Sequence, residues 1–185
     1  MRVLGNAIKV VGFLLAAFSG FLKTIAPPDE TGTPLPVGVV SFLCLIIFLG
    51  ISAANWKSIR RGHWLAASVL FGASFLGSSL LYQGAFSRLT FVWYPTHKVY
   101  VAGGDDHLTE KARDARAKNP SLSSADLVSG FGGIDEATGV DRRTRVWDES
   151  GIQSAARYLT CVYITMVVTL ASAVFCVTEG ALKRC

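Results

Sequence analysis

From Trp64 to Phe86 the chain runs for 23 residues without a charged side chain. At ~1.5 Å rise per residue a helix of that length reaches ~35 Å, enough to cross a hydrocarbon core of ~30 Å. Three other stretches qualify or nearly do. The first, at about 10–26, holds the charge-free core VVGFLLAAFSGFL between Lys9 and Lys23 and is stopped by Pro27-Pro28. The second, at about 35–56, contains VGVVSFLCLIIFLGISAA and ends on Asn55-Trp56-Lys57. The fourth, YLTCVYITMVVTLASAVFCV, covers Tyr158 to Val177 between Arg157 and Glu179. The first stretch also fits a signal peptide, with Arg2 and Lys9 before it and Ala17-Phe18-Ser19 as a cleavage site; we read it as a retained helix.

The expected fold is an all-α integral membrane protein. It has four transmembrane helices and a polar insert of about seventy residues between the third and the fourth. On this reading 1–87 carries helices one to three (the third at 64–86), 88–147 is the extramembrane insert, and 148–185 holds helix four and a short tail. Composition agrees: 51% of the 185 residues are hydrophobic and 17% charged, against about 25% charged in soluble proteins. The net charge of +5 is not a nucleic-acid footprint. Arg88 to Arg157 carries ten cations and ten anions, so the excess lies at the ends of the apolar segments.

Between helices in lipid, close backbone approach at small residues does more than burial of leucine. Gly12, Ala16 and Gly20 recur four apart on helix one. So do Ser68 and Gly72, then Ala73 and Gly77, on helix three. These are the expected helix-packing positions. The serines and threonines of the spans can bond back to a carbonyl one turn earlier. No Asp, Glu, Arg or His stands at the middle of any span, which disfavours proton relays, coupled transporters and voltage sensors.

The expected interfacial anchors, for lipid headgroups or a partner, are aromatic and basic residues at segment ends. They are Lys23, Trp56, Lys57, Arg60, Arg61, Trp64, Trp93, Arg142, Arg143, Arg145, Trp147 and Arg157. The short basic loop at Lys57, Arg60 and Arg61, with Arg2 and Lys183-Arg184, puts both termini on the cytoplasmic or matrix side of a bacterial or organellar inner membrane. The arginines at 142–145 argue the other way, but the insert is longer than the loops that obey the rule. The cysteines (Cys44, Cys161, Cys176, Cys185) avoid the insert and form no CxxC pair.

In the insert, the β-prone runs FVWY and KVYV flank Pro95-Thr96-His97 and predict a hairpin at the membrane interface. DDHLTEKARDARAKNP predicts a helix capped by Asp105 or Asp106 with an apolar stripe of Leu108, Ala112 and Ala115. SLSSADLVSGFGG predicts a second short helix, capped by Ser123 or Ser124, with Leu127, Val128 and Phe131 inside. So few large apolar residues imply that the insert cannot build its own core and is ordered from outside. From RRTRVWDESGIQSAARYL we expect Trp147 at the interface and one helix from about Asp148 to about Glu179.

No catalytic, cofactor or metal constellation is expected. Asp105-Asp106-His107 offers ligand types for a divalent metal, but a helix cap explains it better. Gly130-Phe131-Gly132-Gly133 lacks the phosphate-loop lysine and reads as a turn. The expected function is a non-catalytic accessory subunit of a larger membrane complex, with the insert binding neighbouring subunits. The alternatives are a small bacterial membrane effector or sensor, such as one in anti-phage defence, that homo-oligomerises, and a channel or transporter component. The expected partners are anionic membrane lipids and other membrane subunits or a second copy, not nucleic acid.

Overall fold

The computed structural model describes residues 60–135 and 140–182, with 12, 27 and 28 besides. The expected first and second spans, and with them Ala16, Gly20, Lys23, Trp56 and Lys57, lie outside the described residues. Gly12 is helical and exposed. What is described is mostly helical. Helix α1 covers Arg61–Leu89. A hairpin follows, β1 Thr90–Trp93 and β2 Lys98–Val101, then a 3-10 turn at Asp105–His107, α2 Glu110–Lys118 and α3 Ser124–Gly130. A two-residue ladder joins β3 Ile134–Asp135 to β4 Val140–Asp141. After a 3-10 turn at Arg143–Arg145, helix α4 runs from Glu149 to Leu182.

Two of these helices, α1 and α4, are long and apolar enough to cross a membrane. Both exceed the expected bounds. Helix α1 starts three residues before Trp64 and ends three after Phe86, because nothing between Arg61 and Leu89 breaks a helix: the stretch holds no proline. Helix α4 starts within a residue of the expected Asp148 and continues past Glu179 to Leu182. Several hydroxyls in these helices bond back one turn. Ser68 donates to the Leu65 carbonyl at 2.8 Å, Ser78 to Phe75 at 3.0 Å and Ser172 to Val168 at 2.8 Å.

The chain forms two compact units, one holding residues 60–82 and 162–182, the other 83–135 and 140–161. In the first unit α1 and α4 pack antiparallel. Trp64 meets Phe175 edge-on at 5.9 Å, and Tyr82 meets Tyr163 at 5.8 Å. Of the expected small residues of α1, Ala73 and Gly77 do not make this contact. At about 100° per residue, Trp64, Ser78 and Tyr82, the buried residues of α1, fall on one side, and Ala73 and Gly77 fall roughly opposite. Both are exposed, and a Cβ added to Gly72 or Gly77 meets nothing within 4 Å. The close approach is at Gly180 of α4, where a Cβ would lie 3.4 Å from Leu65 and 3.5 Å from Trp64. Trp64 is thus buried against α4 rather than presented at the surface. Glu179, expected to bound the fourth span, is also buried, at 2% exposed.

The second unit corrects the expectation that the insert lacks a core. Phe91, Trp93, Ala102, Leu108, Ala112, Leu127, Val128, Val146, Trp147 and Ile152 form one buried cluster, with Tyr100, Ala115, Leu122 and Phe131 packed against it. The composition count fails because it leaves out the C-terminal end of the unit: Trp147 and Ile152, read as interfacial anchor and start of helix four, complete this core. Fully burying large apolar side chains contributes about 1.5–3 kcal/mol each, and ten positions share one interior.

Local signals place the elements around that core. The hairpin pairs Thr90 with Val101 through Trp93 with Lys98, and Thr90 Oγ1 donates to the Phe86 carbonyl at 2.6 Å, closing the last turn of α1. Helix α3 carries a capping box: the Asp126 amide donates to Ser123 Oγ at 3.2 Å and the Ser123 amide to Asp126 Oδ2 at 3.1 Å. Its end needs two residues of positive φ, Gly132 at 107° and Gly133 at 72°, and the Gly133 amide returns to the Val128 carbonyl at 2.8 Å. Helix α2 departs from expectation. It is not capped by Asp105 or Asp106; it begins at Glu110, with Thr109 as N-cap. Leu108 is held extended by a bridge to Trp147, and an extended residue cannot belong to a helix.

Candidate functional site

The stretch before α4 is stitched to the stretch before α2. The Thr109 amide donates to the Val146 carbonyl at 2.9 Å and the Asp148 amide to the His107 carbonyl at 3.0 Å, either side of the Leu108–Trp147 bridge. The Thr109 hydroxyl is spent on the Arg145 carbonyl at 2.8 Å, so it does not cap α2. Trp147 is 1% exposed and lies 5.9 Å from the Phe91 ring. The side chain expected as an interfacial anchor is therefore enclosed within the unit. It belongs to the core, packed against Phe91, bridged to Leu108 and flanked by the bare backbone of Gly103.

The arginines of this stretch separate into two kinds. Arg143 is buried. Its Nε donates to Asp141 at 2.8 and 3.0 Å, its Nη2 to Asp141 at 2.5 Å and its Nη1 to the Val101 carbonyl at 3.1 Å, and its guanidinium carbon sits 5.0 Å from the Tyr100 ring centroid. The guanidinium is thus engaged within the chain, and the side chain is 9% exposed. Partial burial pushes the Asp141 carboxyl upward, but the hydrogen bonds and charge of Arg143 outweigh it and hold the group below the ordinary carboxylate value. Arg145 and Arg157 are exposed. Arg142 is half-exposed and donates to the Gly132 carbonyl at 3.3 Å.

Arg145 borders a groove of about 1040 Å³, shared with Thr109, Lys111, Arg113, Phe131 and Asp148. Its charges are mixed: Lys111, Arg113 and Arg145 stand against Glu110 and Asp148. Asp105 pairs with Arg116 at the far end of α2, while Asp106 and His107 are exposed. Among the described residues no group of three or more His, Cys, Asp and Glu side chains converges.

The hairpin exchanges its expected anchor. Trp93 is turned inward at 8% exposed, and its neighbour Tyr94 is turned outward at 73%, with Val92 at 43%. The run FVWY is apolar throughout, so alternation could not show which parity faces the core; Val92 and Tyr94 were missed for that reason. Arg60 is exposed and Arg61 half-exposed at the start of α1. No protein-family model, curated protein or solved structure matches this chain.

Proposed function

We propose that this is a non-catalytic, multi-pass membrane protein that displays a self-folded polar unit as a binding module, in the manner of an accessory subunit of a larger membrane assembly. The observation that carries the reading is the surface of α1. Val69, Leu70, Leu76, Leu80 and Leu81 are 62–72% exposed along a helix of 29 residues. Water does not tolerate so long an apolar surface, whereas lipid does. With the two segments read from sequence at 10–26 and 35–56, the protein has four spans. The basic loop at Lys57–Arg61 puts both termini on the cytoplasmic or matrix side, and the polar unit on the opposite one. The binding surface of that unit is its groove and the cations that line it, Arg145, Arg113 and Lys111.

The core of residues 83–161 favours a second reading. A unit that folds around its own tryptophan needs no neighbour to order it, which suits a stand-alone effector or sensor that homo-oligomerises. Purification in mild detergent followed by mass measurement separates the two. Foreign subunits in fixed stoichiometry support the accessory role and end the stand-alone one; a homo-oligomer does the reverse. Recovery in a salt- and carbonate-washed soluble fraction would overturn both.

A further inference from the structure

We propose that the hairpin, through the outward-facing Tyr94 and Val92 and with the exposed cations Lys98 and Arg88 at its edges, rests in the headgroup layer of the membrane and prefers anionic phospholipid. This inference rests on the membrane reading of α1.

Three observations carry it. The first is charge. From Arg61 to Gly104 there is no Asp or Glu, and the cations are Arg61, Arg88 and Lys98; the following sixteen residues, Asp105 to Pro120, hold four acids. The hairpin is a part of the polar unit with cations and no anions, the complement of a phosphate surface. The second is exposure. The inward parity of β1, Phe91 and Trp93, is spent on the core, while Val92 and Tyr94 stay 43% and 73% exposed, and Lys98 and Arg88 are exposed with them. An exposed tyrosine beside cations matches the headgroup layer, where one end of a ring is apolar and the other wet. The third is continuity. β1 begins at the residue after α1 ends, tied to it by Thr90 Oγ1 to the Phe86 carbonyl and by the Ala102 amide to the Leu89 carbonyl at 2.7 Å. The charge-free run stops at Phe86, so Thr90 starts only ~6 Å beyond it at helical rise, within the headgroup thickness of ~5–8 Å on each side.

The test places a photoreactive residue in the full chain, reconstituted in vesicles of phosphatidylcholine with and without phosphatidylglycerol. Tyr94→p-benzoylphenylalanine should give a phospholipid adduct by mass spectrometry, enriched in phosphatidylglycerol. Lys98→Gln should cut that enrichment by about fivefold, the factor that corresponds to ~1 kcal/mol per cation at such a surface. Leu76→p-benzoylphenylalanine, in the middle of α1, reports on the membrane reading itself. A lipid adduct at 76 with none at 94, or with only protein adducts at 94, overturns the proposal and leaves the membrane reading intact. No lipid adduct at either position overturns the membrane reading. An adduct at 94 with no preference for anionic lipid overturns the charge half of the proposal.

Discussion

Gly103 lies against the flank of Trp147: a Cβ at position 103 would stand 2.6 Å from Trp147 Cβ and 2.8 Å from Cγ. Neither atom can retreat, because one is fixed to the backbone and the other is the root of a buried ring. Gly103→Ala should therefore destabilise the polar unit by about 1–3 kcal/mol, the usual cost of overpacking. Gly130→Ala is the contrast. Its Cβ meets nothing within 4 Å, and the residue is helical, so it should be neutral or stabilising by about 0.5–1 kcal/mol. Thermal unfolding of the detergent-solubilised chain, followed by tryptophan fluorescence, should move in opposite directions for the two.

Trp147→Ala should cost about 3–5 kcal/mol, the range for removing a large buried aromatic. Trp147→Phe should cost less, because it retains most of the contact with Phe91. Limited proteolysis between residues 83 and 161 measures this. Were Trp147 an interfacial anchor, Trp147→Ala would leave the protease pattern unchanged and alter only membrane retention.

The arginines of the same stretch should behave differently from one another. Arg143→Gln leaves Asp141 without its partner and should destabilise by about 2 kcal/mol, below the 3–5 of a fully buried pair because the Asp141 side chain is 40% exposed. Arg145→Gln should leave the unfolding transition where it is and weaken recovery of any co-purifying partner, since its side chain borders the groove and its fold contact is made by the main chain.

Acid should loosen the polar unit. The Asp141 carboxyl is held below its ordinary value of about 3.8 by Arg143, and Asp126 is held below it by hydrogen bonds from Ser123. As pH falls through about 4 the unfolded chain takes up these protons before the folded one does. Stability is therefore complete above that pH and is lost as pH drops toward the folded values. Unfolding midpoints between pH 6 and pH 3 should fall, and Asp141→Asn should flatten the decline.

Leu76→Lys places a charge at the centre of α1 on its exposed side. In lipid this costs about 2.5–3.5 kcal/mol of insertion free energy, so the membrane-integrated fraction should drop. An unchanged fraction would mean that α1 does not cross the bilayer.

Much of the architecture was legible from local signals. A charge-free run without proline gave α1, two β-prone runs around Pro95 gave the hairpin, and Ser123 with Asp126 gave the start of α3. These depend on residues within a few positions of each other. The candidate site was legible only in part. Arg142, Arg143 and Arg145 look alike in sequence, yet Arg143 alone is enclosed, because its acceptor at Val101 is 42 residues away. The core was missed for the same reason: Trp147 and Leu108 pair across 39 residues, and neither neighbourhood is apolar enough by itself to announce an interior.

The sequence by itself determined the long apolar helices, the unequal spacing between apolar segments and the neutral, cysteine-free polar stretch, since hydropathy and helix period are properties of contiguous residues. Only the tertiary structure decided that Trp147 and Trp93 point inward, that Tyr94 points outward and that α1 meets α4 through Trp64 and Tyr82 rather than through Ala73 and Gly77. An apolar residue is drawn equally to a core and to a lipid boundary. Which of the two it enters depends on the shape of the space left by distant segments, and that shape exists only once the chain has folded.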